Sequence, residues 1–237
     1  MDAKQQDKPR GLTSHDIKIL TRRAETGDVE AQIELGMAYA SGDAVAKSYT
    51  KSAHWYRKAA EQGSPEGQVA LGACYYFGQG VKPDPGEAFR WCRSGAEQGC
   101  LAGLWYLGLF HFAGIGVPKN DIEAVRYWRQ AAEQGYAPGQ WNLAWSYSAG
   151  IGVNKDDTEA FRWCKKAAEQ NVKQAQHALA HQYAEGRGVE QDYIAAYAWY
   201  TRAMATGSDG AETDRKQLAE KMTPTQIAQA GQMPTTK

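Results

Sequence analysis

His177 and His181 stand four residues apart, and Glu185 follows one further helical turn on. On one helix this spacing stacks two imidazoles on a single face, where they converge closely enough to hold a divalent metal. The residues between them, Ala178-Leu179-Ala180, lack the glutamate of a His-Glu-x-x-His motif, so zinc-protease chemistry is disfavoured. The pair therefore reads in two ways. It is either the centre of a metal-binding or metal-dependent module or the polar lining of a binding surface.

Other chemistry-bearing residues are quieter. Gly78-Gln79-Gly80-Val81, Gly114-Ile115-Gly116-Val117, Gly150-Ile151-Gly152-Val153 and Gly186-Arg187-Gly188-Val189 look like phosphate cradles. They follow helical rather than strand patterns and recur at a fixed interval, which makes them turns. Cys92 and Cys164 occupy one slot two repeats apart, too far for a disulfide whose Cα atoms must lie within roughly 7 Å. Cys92 and Cys100 are near enough in sequence to pair, but free, half-buried thiols are the preferred reading for all four cysteines, Cys74 included. His111 substitutes for a recurring tyrosine, and His15 and His54 have no nucleophile at useful spacing. Neither a Ser/His/Asp nor a Cys/His nor a paired-carboxylate arrangement can be built, so neither enzyme activity nor a cofactor is expected.

The elements that must position these residues follow a strict period. Gly27, Gly63, Gly99, Gly135, Asn171 and Gly207 are each 36 residues after the last. Self-similarity at such a period marks a stacked-repeat architecture. Each unit opens with a helix marked by Leu35, Leu71, Leu107, Leu143 and Leu179, followed by a small residue (Gly36, Gly72, Gly108, Ala144, Ala180). Four positions after each leucine comes a ring: Tyr39, Tyr75, His111, Tyr147, Tyr183. The glycine loop comes next, although Gly42-Asp43-Ala44-Val45 in the first unit lacks its second glycine. A second helix then begins at Asp84, Asn120, Asp156 or Asp192, good N-cap residues, with Pro85 suited to N1. Glu87, Glu123 and Glu159 three positions on suggest capping boxes. Its inward face carries Ala88, Ala124, Ala160 and Ala196, then Trp55, Trp91, Tyr127, Trp163 and Trp199, read as core.

The chain is thus expected to be all-α, in four parts. Residues 1–13 are a disordered N-terminus, and 14–27 a capping helix with Ile17, Leu20 and Ala24 inward. Five repeats span 28–207 (28–63, 64–99, 100–135, 136–171, 172–207). C-terminal capping helices and a tail fill 208–237, with Leu218, Met222 and Ile227 inward. Lys plus Arg equals Asp plus Glu at 27 each, so there is no basic field to gather nucleic acid. The polar N-terminus and the lack of an 18-residue apolar run argue against membrane insertion and for a cytoplasmic protein. A monomer is favoured.

Leu-Gly, Tyr, Gly-x-Gly-Val, Asp, Ala, Trp-Tyr and Ala-Ala-Glu-Gln-Gly in this order resemble the Sel-one-like repeat (SLR) family, relatives of tetratricopeptide repeats with a longer loop between helices. The resemblance covers residues 28–207. It implies a right-handed α-solenoid that binds proteins or peptides and carries no catalytic residues of its own. Bacterial members are linked to envelope, secretion or host-interaction processes, some as immunity or adaptor proteins. Secreted relatives carry a cysteine pair in each repeat, a ladder this sequence lacks.

Subtracting the repeat leaves the positions free to serve a partner. Two before each leucine stand Ile33, Val69, Trp105, Trp141 and His177; two after, Met37, Ala73, Leu109, Trp145 and His181; five after, Ala40, Tyr76, Phe112, Ser148 and Ala184. By similarity to the tetratricopeptide helix pair, these slots line the concave surface. The expected partner-binding residues are Tyr76, Trp105, Leu109, Phe112, Trp141, Trp145, His177 and His181, with the large aromatics as anchors. The competing reading places the same rings in the core between repeats.

Overall fold

The computed structural model describes residues 12–232; the expectations for residues 1–11 and for the tail after 232 lie outside the described residues. Among the described residues there are thirteen helices and no strand. Helix α1 (Ser14–Glu25) precedes α2 (Val29–Ser41), α3 (Tyr49–Glu61), α4 (Pro65–Phe77), α5 (Pro85–Glu97) and α6 (Leu101–Ala113). Then come α7 (Asp121–Glu133), α8 (Ala137–Ala149), α9 (Asp157–Glu169), α10 (Lys173–Glu185), α11 (Tyr193–Ala205), α12 (Ala211–Ala219) and α13 (Pro224–Gln232).

Two compact units form. One comprises the chain up to Phe110 together with Gly114–Pro118, the other His111–Ala113 and the chain from Lys119 onward. In the first, each of α1 to α4 packs on the helix that follows it. In the second, α7 to α11 do the same, and α11 also carries α13. Each helix buries its apolar stripe against its sequence neighbour, which is solenoid-like packing of helical hairpins.

Local chemistry sets the helix ends. Asp84, Asn120, Asp156 and Asp192 each accept backbone N–H groups of the first turn of the second helices. Glu87 and Glu159 act differently from the expected capping boxes. Each turns its carboxylate onto the tryptophan one turn on, accepting from Trp91 Nε1 and Trp163 Nε1 at 3.0 Å. Each also pairs with the arginine three residues on, Arg90 or Arg162. Glu123 likewise pairs with Arg126, at 2.6 Å. The first helices end on left-handed glycines such as Gly186 (φ 69°).

The second glycine of each loop has a different reason. At Gly188 (φ +71°) a Cβ would lie 1.9 Å from the carbonyl oxygen of Asp157, where the preceding hairpin's second helix begins. Only a residue without a side chain fits there. The first unit has no earlier hairpin to approach, and Ala44 keeps the left-handed conformation at φ 57°. The lost glycine therefore did not change the turn.

The five leucines are buried as expected. The ring register differs by one. Trp55 and Trp163 are buried, whereas Trp91, Tyr127 and Trp199 are half-buried and lie under arginines. The position that is buried in all five units is the next one: Tyr56, Cys92, Trp128, Cys164 and Tyr200. In the first two repeats it faces the small residue of the first helix; a Cβ on Gly36 would meet the Tyr56 ring and one on Gly72 would meet Cys92 Sγ, each at 2.5 Å. Cys92 and Cys164 are thus fully rather than half buried, and all four cysteines are free.

A polar slot recurs in four of the five repeats. Gln32, Gln68, Gln140 and Gln176 are buried in one slot of the first helices. Gln140 Nε2 donates to the Ala132 carbonyl (3.2 Å), and Gln170 Nε2 donates to Gln140 Oε1 (2.8 Å). Gln62 and Gln98 reach Gln32 and Gln68 in the same way, both at 2.8 Å. The amide–amide bonds close the first, second and fourth repeats from end back to start. The bond from Gln140 to Ala132 ties a repeat to the one before it.

Candidate binding site

In the second unit, the first-helix slots of α8 and α10 bring three large expected residues to one recess. Trp141 and Trp145, one turn apart on α8, wall a cavity of about 170 Å³ together with His181 on α10. Ser148, Asp157, Gln182 and Arg187 complete its polar lining. All of these except Gln182 and Arg187 are half-buried; Arg187 is exposed and pairs with Glu185 (2.6 Å). Gln182 is only 8% exposed, and its Oε1 meets no hydrogen-bond partner among the described residues. A buried carbonyl without a donor costs about 1–3 kcal/mol, and this one belongs to a residue that lines the recess.

Phe112 supports this wall from the end of α6. Its ring stands 5.3 Å from Trp145 and 5.8 Å from the buried Trp128, and Lys119 Nζ lies 5.4 Å from its centroid. Beside it on α6, His111 is half-buried and stacks on Tyr127 at 5.5 Å, where burial lowers its pKa.

The expected residues of the first unit are arranged differently. Tyr76 is packed against the core cluster of Val69, Cys92 and Phe110, with its ring 5.5 Å from Phe110 and 6.4 Å from Tyr106. Trp105 is half-buried and stands edge-on to Tyr106 at 4.8 Å. Leu109 is half-buried, Val69 buried and Met37 exposed.

His177 and His181 meet a partner that repeat reasoning did not supply. His177 Nε2 lies 2.7 Å and His181 Nε2 3.2 Å from Asp214 Oδ2, on the cap helix α12. Behind them, Ser208 Oγ is 3.3 Å from His177 Nδ1 and Tyr200 Oη 3.1 Å from His181 Nδ1. Burial, with the negative charge of Asp214, pushes the Tyr200 hydroxyl well up and keeps it protonated. Glu185, one turn further along α10, pairs instead with Arg187.

Sequence reasoning missed Asp214 because it sits outside the repeats, where no slot comparison reaches. It missed Gln182 for another reason. The position three after each leucine reads Ala38, Cys74, Phe110, Ser146 and Gln182, and all five are buried. A glutamine there was the visible signal, since the other four are small, apolar or both.

A family model described as Sel1 repeat matches residues 29–64, 65–100, 101–136, 137–172 and 173–205. Among solved structures, a Sel1 repeat protein from Oxalobacter formigenes is 30% identical with a TM-score of 0.78, covering 86% of this chain and 59% of that one. A protective antigen present in uropathogenic Escherichia coli strains and displaying an SLR fold is also 30% identical (TM-score 0.56), covering 92% of this chain and 55% of that one. This chain thus spans less than two thirds of either. An immunity protein from Pseudomonas aeruginosa shares the fold at 20% identity and a TM-score of 0.60, over 87% of this chain and 78% of that one. No curated protein matches the chain significantly. No helix among the described residues is long and apolar enough to cross a membrane.

Proposed function

Since this chain belongs to the Sel1 repeat family, whose members generally mediate protein–protein interactions and are typically non-enzymatic, we propose that it is an interaction scaffold gripping a peptide or protein domain on its aromatic first-helix face. The observation that carries this reading is the recess between α8 and α10. Trp141 and Trp145 offer apolar area, and Gln182, whose buried Oε1 has no partner among the described residues, lines the same cavity. Rigid aromatics beside a desolvated polar group are what a binding hot spot requires. A partner placing an apolar side chain between the indoles and an N–H or O–H on Gln182 would satisfy both.

The narrower form of the proposal is an adaptor or immunity-type protein that masks a secreted or envelope-associated bacterial protein. Its support is family resemblance together with the shared fold of an immunity protein from Pseudomonas aeruginosa. The test is capture from native lysate, wild type beside the Trp141→Ala/Trp145→Ala double variant, read by mass spectrometry. A protein held by the wild type and lost by the folded variant supports the recess. Equal capture by both moves binding to another face.

A further inference from the structure

We propose that His177, His181 and Asp214 form a two-histidine, one-carboxylate site for a divalent transition ion of the zinc type, which clasps the C-terminal cap helix α12 to the first helix of the last repeat, α10. The ligand atoms of the three side chains lie within 4.8 Å of one another. Zinc binds imidazole nitrogen at about 2.0–2.1 Å and carboxylate oxygen at about 2.0–2.2 Å, so tetrahedral ligand atoms stand about 3.3 Å apart. Asp214 Oδ2 is already 3.2 Å from His181 Nε2. It would withdraw about half an ångström from His177 Nε2, now at 2.7 Å, and the widest separation, within 4.8 Å, would close toward the same value.

The surroundings match the demands of such a site. A ligating histidine needs its second ring nitrogen held by a hydrogen-bond partner, which fixes the tautomer and the ring plane. Ser208 Oγ does this for His177 and Tyr200 Oη for His181. With the ion bound, Nδ1–H of each ring would donate to these oxygens and Nε2 would turn its lone pair to the metal. Part of the cluster remains exposed, which leaves room for water as a fourth ligand.

Placement adds an independent argument. The slots of His177 and His181 carry Ile33 and Met37, Val69 and Ala73, Trp105 and Leu109, and Trp141 and Trp145 in the other units. Stacking therefore does not ask for histidine. Asp214 lies on a helix without counterpart in the repeats, yet its carboxylate arrives at both rings. The plain alternative is a metal-free hydrogen-bonded clasp between the same groups.

The test uses the full chain, freed of any polyhistidine tag, titrated with Co²⁺ and Zn²⁺. The expected result is one ion per chain, visible Co²⁺ ligand-field bands of low-symmetry coordination, and a Tm that rises with Zn²⁺. Asp214→Asn keeps the side-chain shape and should abolish stoichiometric binding, as should His181→Ala. Tyr200→Phe keeps all three ligands and should weaken binding about 10–100-fold. Failure of the wild type to bind either ion stoichiometrically overturns the proposal and leaves the hydrogen-bonded clasp. Undiminished binding by folded Asp214→Asn also overturns it, since the ion would then sit elsewhere. None of these readouts involves a partner protein, so the scaffold reading stands or falls separately.

Discussion

The ring of Phe112 stands edge-on to Trp145, 5.3 Å between centroids at 89°, and tilts over Trp128 at 5.8 Å. This relay joins a tryptophan that is 1% exposed to one that walls an open recess. It separates the core role of one indole from the surface role of the other.

Truncating the two kinds of ring should therefore have opposite signatures. Trp128→Ala removes a fully buried indole and should cost about 3–5 kcal/mol of stability. Trp141→Ala and Trp145→Ala, each half-buried, should cost about 1–2 kcal/mol each and leave the helical circular dichroism unchanged. Urea unfolding separates them. Large losses at all three sites would place Trp141 and Trp145 in the core.

Two glycines of similar backbone conformation should differ sharply when replaced by alanine. Gly207 (φ +75°) has nothing within 4 Å of a built Cβ, so only the left-handed strain of about 1 kcal/mol applies. At Gly188 the Asp157 carbonyl stands in the way, and Gly188→Ala should cost about 3 kcal/mol or more. Thermal unfolding of the pair checks this, with Ala44→Gly as a near-neutral control.

The glutamine slot should resist an apolar replacement. Gln140→Leu keeps the approximate volume, and Leu104 holds the corresponding slot one repeat earlier. It removes one hydrogen bond to the Ala132 carbonyl and one from the Gln170 amide, each of which keeps another partner, and should cost about 0.5–1.5 kcal/mol per bond lost. A double-mutant cycle with Gln170→Ala should recover much of that loss, because the two side chains act as one unit.

Cysteine reactivity should follow depth. Burial pushes the Cys92 and Cys164 thiols up to about 12 and Cys74 to about 11, since a thiolate cannot be solvated there. The half-buried Cys100 should be alkylated first, and the other three only on unfolding. The folded state holds these protons where the unfolded chain has lost them. Stability from this source is therefore fully present below about pH 9, the ordinary thiol value, and declines as pH rises from there toward 12. Mass spectrometry after timed alkylation, and Tm measured against pH, test the two statements.

The period by itself determined the all-helical repeat fold, because a residue type that recurs every 36 positions must meet the same neighbours in every unit. The leucines, the N-caps and the left-handed helix ends were legible for this reason, each depending only on residues close in sequence. Which ring goes deepest was not legible. Tyr127 and Trp128 are adjacent and both aromatic, yet only Trp128 is buried, and a linear pattern does not choose between such neighbours. The Gly188 approach, the unpartnered acceptor on Gln182 and the arrival of Asp214 at two histidines were likewise decided by tertiary structure. Each depends on the distance between helices, which a linear pattern specifies only where the pattern repeats, and Asp214 lies beyond its last copy.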